Sequence, residues 1–522
     1  MTKGQRIFFL SLIVNCFISF ATTEAARRLS SINETMNVSE EVGLGTDFEM
    51  HMYKQTIDHF NYKPESFETF QHRYFINRKF WGGGVDGDPR NSPIFVYFGA
   101  DESFDSLKIC KVGFLVDHAQ EFNALLVYIE HRYYGKSRPV CGTIEEVMRN
   151  ADKRGYFNSA QALADYAEII LHIKRTLDAT QSPVIVIGKA YGGMLAAWFR
   201  LQYPHIASGA LASSAAILSF DGIVPQNVYH SKVTRNFREA SETCYKTIKE
   251  SWDFIDDIAC QPHGIDLLSR TFRTCKALST PKELKKYIEG IYIDAAKNYA
   301  APSRPVHVIC EAIDDPKDDC PMPINKIASG LFAYLKHTNP NNACTVNAPI
   351  PFDGWAWQTC SEMVMPMSPG DDPDSMFQPS QPFDFQEFSD SCFASYGVTP
   401  RPHWITTRYG GHNIEIVLAN FGSHIIFSNG LRDPISAAGV LRNISDTVIA
   451  IVTEQGSHGL DLECAKEGDP DWLIAQRQTE VTIIHGWLHH YYCKLDPKLI
   501  KINVNEHFQN NFNVTKNLIH TI

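Results

Sequence analysis

The sequence holds no Cys-x-x-Cys pair, so its 13 cysteines offer neither a zinc-ribbon nor a thioredoxin-like motif. It is short of positive charge: 48 Lys and Arg face 59 Asp and Glu, a formal net charge of −11 with histidine counted neutral. A surface of that sign argues against nucleic acid as a main partner. Past residue 25 no apolar run is long enough to span a bilayer, so no membrane association is expected of the mature chain. No internal repeat is visible. The chain closes on His520-Thr521-Ile522 and not on an ER-retention tetrapeptide.

What is present is an ordinary globular balance over 522 residues, 44% hydrophobic and 20% charged, enough for a large core and two domains. Residues 1–25 read as a signal peptide: Lys3 and Arg6 are its basic region, Ile7 to Ala21 its apolar run, and Thr23-Glu24-Ala25 a small-x-small cut site. Residues 26–47 are polar and read as a flexible stretch, as do 506–522. Cys16 leaves with the signal, and the even number that remains suits disulfides in an oxidising compartment. Asn33, Asn37, Asn443 and Asn513 lie in N-glycosylation sequons. The route is therefore secretory, with vacuole or lysosome and extracellular space both open as destinations.

Strands are expected at Ile94–Phe98, Leu125–Ile129, the run from Pro183, the small-residue stretch 208–214, Ile425–Gly430 and Thr447–Thr453, with a strong helical face at Ala162, Leu163, Tyr166, Ile169, Ile170, Ile173 and Leu177. Alternating strands and helices imply a largely parallel α/β sheet over 48–219, resumed over 401–505. Between them, 220–400 is helical and loop-rich and holds Cys244, Cys260, Cys275, Cys310, Cys320, Cys344, Cys360 and Cys392, which reads as an inserted, disulfide-tied cap.

The run from Pro183 turns through small residues into an Ala- and Leu-rich helix, the context of a nucleophile elbow G-x-S-x-G. Here the five residues are Gly188-Lys189-Ala190-Tyr191-Gly192, and the position that would attack a carbonyl has no hydroxyl. Alone, they fit any glycine-bearing strand-to-helix turn equally well. Asp433 and His458 each follow the end of a later strand, in the order acid then histidine, where open parallel sheets place their sites.

Longer stretches carry a resemblance: Phe95-Val96-Tyr97-Phe98-Gly99-Ala100, Glu130-His131-Arg132-Tyr133-Tyr134-Gly135, 155–166, Ser428-Asn429-Gly430-Leu431-Arg432-Asp433-Pro434, and Gly456-Ser457-His458-Gly459-Leu460-Asp461-Leu462. With these the chain resembles the lysosomal Pro-Xaa carboxypeptidase family of serine peptidases, relatives of prolylcarboxypeptidase and dipeptidyl peptidase II, and most of all its plant members. The resemblance implies an α/β-hydrolase fold with a helical cap, and exopeptidase cleavage after proline, so peptides with a penultimate proline or a protein partner are the expected ligands. It implies no cofactor and no metal, and leaves a homodimer open. Carried over, Asp433 is the acid, His458 the base, and the amides of Tyr191 and Ala100 the oxyanion donors. It also implies the pairs Cys244–Cys310, Cys275–Cys344 and Cys360–Cys392, leaving Cys110, Cys141, Cys260, Cys320, Cys464 and Cys493 unassigned.

Against the family pattern, Ala190 replaces the nucleophilic serine, Lys189 a glycine, Ile435 a tryptophan of the proline pocket, Gly459 a second histidine, and Ala437 and Ala438 glycines. The expectation is a catalytically inactive or severely impaired homologue that binds peptides. The alternatives are an active carboxypeptidase, by another nucleophile or through a sequence error at position 190, and a structural or stored glycoprotein. Lys189 is not expected to aim at the substrate, and Ser213 and Ser214 read as packing at a strand end. His485 and His489 share a helix face but lack a third ligand in register. Asp314, Asp315, Asp318 and Asp319 read as a solvated loop, since the EF-hand spacing is absent.

Overall fold

The computed structural model describes residues 47–495 apart from 83–91, 106–108, 140–141, 143, 300–302, 316–321, 339–343 and 347–353. The signal region, Asn33, Asn37, Asn513 and the tail 506–522 lie outside the described residues, as do Asp318, Asp319, Cys320 and Cys141.

Eight strands form one sheet: β1 (Glu49–Thr56), β2 (Thr69–Asn77), β3 (Ile94–Phe98), β4 (Leu125–Ile129), β5 (Val184–Lys189), β6 (Gly209–Ser213), β7 (Ile425–Gly430) and β8 (Val448–Thr453). Their order is β1-β2-β4-β3-β5-β6-β7-β8. β1 and β2 pair antiparallel, as do β2 and β4, and every pair from β4 to β8 is parallel. β3, β4 and most of β5 are continuous apolar runs rich in β-branched and aromatic residues because both their faces are covered. Alternation along β5 shows the two layers: Val184 and Val186 join the core on one face, Ile185 and Ile187 that on the other.

Helix α1 (Phe114–Phe122) packs on one face. Helix α2 (Ser159–Thr176) sets Leu163, Tyr166, Ile169, Ile170 and Ile173 on the other, and the Asn158 side chain caps its start by accepting from the Gln161 N–H. Helix α3 (Tyr191–Gln202) follows β5 on the α2 face, with Trp198 stacked on Tyr409 at 4.2 Å between ring centres.

The helices between β6 and β7 divide between two cores. Six of them, α4 (Val228–Ala240), α5 (Glu242–Ala259), the short helix Gly264–Thr271, α6 (Pro281–Lys297), α7 (Pro305–Asp314) and α8 (Pro323–Thr338), enclose a core of their own around Phe237, Trp252, Leu268, Ile288, Tyr292, Ile309 and Leu331. Disulfides Cys244–Cys310 and Cys275–Cys344 cross-link this bundle. The next two, α9 (Gly354–Ser361) and α10 (Phe385–Tyr396), are joined by Cys360–Cys392 and lie instead against the sheet domain. There Trp357 packs with Tyr133, Tyr134 and Phe157, and Met363 enters the sheet core. Helices α11 (Trp404–Tyr409) and α12 (Ile414–Phe421) return the chain to β7, and α13 (Asp471–Leu495) lays Val481, Ile484, Trp487 and Leu488 over the α1 face. This is an α/β-hydrolase fold with a disulfide-tied helical insertion after β6. Among the described residues no helix is long and apolar enough to cross a membrane.

Candidate active site

The site lies where β5, β7 and β8 end. β5 runs straight into α3 through Ala190, whose φ of 54° and ψ of −121° are costly for a residue with a side chain, about 1–3 kcal/mol. Packing holds that turn. A Cβ on Gly188 would stand 2.1 Å from the Gly192 carbonyl oxygen, and one on Gly193 would stand 2.7 Å from that of Ser213, so neither position admits a side chain. The Ala190 N–H donates to the Ser213 carbonyl at 3.0 Å, and its own carbonyl accepts from Met194 at 3.0 Å, so the helix starts immediately. Tyr191 is its first residue. Ala100, just past β3, has its Cβ 3.6 Å from where a Gly192 side chain would begin, so the two expected backbone donors sit on segments that touch.

Asp433, fully buried after β7, and His458, after β8, are brought together: Nδ1 of His458 donates to Oδ2 of Asp433 at 2.8 Å. Burial pushes the Asp433 carboxyl up, but the charge and hydrogen bond of His458, with those of Ser214 and the Ile435 N–H, hold it below the ordinary range. Burial also lowers His458; Asp433 opposes this, while the charges of Lys189 and Lys297 reinforce it. Ile435 is half-buried in the short 3-10 turn Pro434–Ala438, and its N–H donates to Asp433 Oδ1 at 3.0 Å.

The two serines at the end of β6 anchor the His458 loop. Ser213 Oγ donates to Asp461 at 2.7 Å, and Ser214 Oγ accepts from the Gly459 N–H at 2.9 Å. Asp461 is buried and its carboxyl is pushed up. Lys189 lies along the same loop. A Cβ on Gly459, whose φ is 56°, would meet Lys189 Cε at 2.4 Å and Cδ at 2.5 Å. Lysine at 189 and a side chain at 459 therefore compete for one space.

The helical insertion touches both loops. The Lys297 carbonyl, at the end of α6, accepts from the His458 N–H at 3.0 Å. Asn236 on α4 donates to the Arg432 carbonyl at 2.7 Å, Glu239 pairs with the Arg432 guanidinium, and α4 packs on the turn that carries Ile435.

Residues 55–480 match the serine carboxypeptidase S28 family. The chain belongs to that family. Relatives include the lysosomal Pro-X carboxypeptidase of Homo sapiens, 33% identical over 508 residues and covering 94% of this chain and 98% of the relative. The Mus musculus protein of that name is 34% identical, covering 93% and 99%. A probable serine protease of Arabidopsis thaliana is 25% identical, covering 92% and 96%. Among solved structures, a proline iminopeptidase of Mycobacterium smegmatis aligns over 81% of this chain and 97% of its own, at 10% identity and a TM-score of 0.33.

Within the family framework the structure adds residues that the sequence did not single out as site residues: Ser214 and Asp461, which dock the His458 loop, and Asn236 and Lys297, which reach it from the insertion. Asn236 and Lys297 are lone residues with no motif around them, whereas Asp461 sits inside the stretch 456–462 and Ser214 beside Ser213 at a strand end. His485 lies outside this site, its Nε2 donating to Glu121 at 2.8 Å and its ring stacked on Phe122 at 4.0 Å, and His489 contacts Cys493 on the same helix. Among the described residues no group of three His, Cys, Asp or Glu side chains is placed to hold a metal ion. Asp314 accepts from Ser241 Oγ at 2.5 Å. Asn443 is exposed, as its sequon requires, and its Oδ1 accepts from the Ala450 N–H at 2.8 Å.

Proposed function

We propose that this protein is a secretory-pathway member of the family, destined for a vacuole, a lysosome or the exterior, that binds proline-containing peptides and does not hydrolyse them. The observation that carries the reading is Ala190: the elbow geometry is kept at a residue with no nucleophile. In this reading Asp433 and His458 are the acid and base of a triad without its serine, Tyr191 and Ala100 supply the oxyanion amides, and Ile435 lines the proline pocket less completely than a larger ring. Loss of the serine costs on the order of 10⁶-fold in kcat, leaving about 10³ to 10⁴ over water from the oxyanion hole and binding.

Nearby hydroxyls do not favour a substitute. Ser213 is committed to Asp461 and Ser214 to the Gly459 amide. Relatives at 33% identity are named lysosomal Pro-X carboxypeptidases, which supports peptides with a penultimate proline as the ligand class. The test is a fluorophosphonate probe on the purified mature protein together with release of C-terminal residues from Pro-Xaa peptides. No labelling and no release are expected. Stoichiometric labelling that disappears on denaturation would overturn the reading.

A further inference from the structure

Lys189, Ser213 and Ser428 are register partners on β5, β6 and β7, neighbouring strands about 5 Å apart. All three point to the α13 face, since Ile187, Leu211 and Ile426, each two residues earlier, belong to the core on that face. Two carboxyls hang from this row. Asp461, in the turn Leu460–Leu462 just after His458, accepts from Ser213 Oγ at 2.7 Å. Glu480, on α13, accepts from Ser428 Oγ at 2.6 Å. Adjacent hydroxyls on one face therefore hold the two carboxyls side by side. Asp461 is 3% exposed and Glu480 fully buried. Each spends one oxygen on its serine. The other oxygens, Oδ2 of Asp461 and Oε2 of Glu480, are buried without a hydrogen-bond partner among the described residues.

The cations around the pair leave it one charge short. The Arg477 guanidinium, one turn before Glu480 on α13, donates to Asp469 at 2.6 Å and to the carbonyls of Leu460, Asp461 and Glu463. Lys189 brings an ammonium group to the β5 end of the row. Gln476 donates to Ser428 Oγ and accepts from Thr453 on β8. Of the other charged groups on the elements packed there, Glu463 pairs with Lys466, Asp117 on α1 accepts from the Ala465 N–H, and Lys111 is exposed. Two buried carboxylates facing one ammonium strand a charge and two acceptors if both ionise. One proton answers both needs. Placed on either unpartnered oxygen it donates to the other, and the pair keeps a single negative charge opposite Lys189.

We propose that Asp461 and Glu480 share one proton, and that this proton latches the His458 loop to α13, so that acid keeps the latch closed and rising pH loosens it. The latch is independent of whether the protein binds peptides. Burial pushes both carboxyls up, Glu480 well above its ordinary range. A carboxyl raised by folding contributes stability that is complete below its unfolded value and is lost as pH rises through the folded one. An acidic lumen therefore favours the closed latch over a neutral exterior.

Urea unfolding of the mature chain between about pH 5 and about pH 8 tests this, with Glu480→Gln and Asp461→Asn alongside. Either amide donates permanently to the facing carboxylate and so mimics the protonated pair. Across the window the wild-type unfolding constant should rise by up to about tenfold per pH unit relative to either variant, the slope of one proton. The second readout is the infrared difference spectrum, wild type minus variant, at neutral pH. A carboxylic-acid carbonyl band should be lost in each single variant, because the proton needs both partners. Glu362, a buried carboxyl raised to about 7 and held by Ser159 and Trp404, cancels in the difference. Parallel pH courses for wild type and variants would overturn the latch. A band that survives either substitution would assign the proton to one residue alone and overturn the sharing. If one variant does not fold, the other carries both readouts.

Discussion

At the ends of β7 and β8 the site is made of side chains; at the end of β5 it is made of backbone. Asp433 and His458 keep their contact through a direct hydrogen bond, and the loops that carry them are fixed by Ser213, Ser214 and the carbonyl of Lys297. At the elbow the left-handed turn persists at Ala190 because Gly188 and Gly193 pack too closely for any other path, whatever side chain the turn presents. The comparison teaches that the geometry of the elbow does not depend on the side chain it presents. Strain stored in a backbone is maintained by its neighbours' packing, and removing a hydroxyl does not release it.

The largest test of that separation is Ala190→Ser. If the elbow is intact, the substitution restores a hydroxyl at a turn built for it, with a hydrogen-bonded imidazole available as base. Fluorophosphonate labelling should appear, rising toward the 10³- to 10⁶-fold range that a serine nucleophile contributes. Adding Asp433→Asn or His458→Gln should abolish most of it, while the same changes with Ala190 present should alter nothing measurable. Peptide turnover should stay poor until Ile435→Trp and Lys189→Gly are added, and these should help more than additively. A folded Ala190→Ser protein that stays unlabelled would show that the pair at β7 and β8 does not reach the elbow.

A smaller effect separates the two regions by stability. Gly459 sits at positive φ, and its missing Cβ is where the Lys189 stem lies. Gly459→Ala should therefore cost about 2–4 kcal/mol, part from the left-handed backbone and part from overpacking. Lys189→Gly should relieve the overpacking part alone, giving a coupling of about 1–3 kcal/mol in a double-mutant cycle. Urea unfolding of the four proteins measures it. Additive effects would mean that residues 189 and 459 do not share the space.

The parallel half of the sheet was legible because its strands are buried on both faces and so read as apolar runs, β3 and β4 above all. The two antiparallel strands β1 and β2 were not. β2 carries His72 and Arg73, fully buried side chains that look like surface residues until Glu130, Asp105 and Asp165 are seen beside them. At the site, Ala190, Asp433, His458 and Gly459 stand out because they sit in motifs at strand ends. Asn236 and Lys297 do not, since lone polar residues on amphipathic helices are ordinarily solvated. What recruits them is the docking of α4 and α6 onto the loops after β7 and β8, a tertiary fact with no local pattern. The split of the insertion between two cores was hidden for the same reason: helical periodicity tells which face is buried and not against what.

The smallest and sharpest expected effect is in pH. Labelling of Ala190→Ser requires neutral His458, so its acid limb reports the imidazole directly. Burial, the largest influence, disfavours the charged ring; Asp433 opposes it, and the positive charges of Lys189 and Lys297 add to it, so the net shift is downward from 6.5. The limb should accordingly fall below 6.5. Lys297→Met in the Ala190→Ser background removes one repelling cation while keeping the backbone carbonyl that holds the His458 amide, so the limb should move up, by a few tenths of a unit to about one. Added salt should move it in the same direction, and less in the double variant, because a half-buried ammonium is partly screened. The same sign governs stability. A folded state that keeps this ring neutral binds fewer protons than the unfolded chain, so the contribution of His458 is present above the unfolded value and is lost as pH falls toward the folded one. An acid limb at or above 6.5, unmoved by Lys297→Met, would mean that the end of α6 does not act on the imidazole, and the site would then owe its proton affinity to Asp433 and burial alone.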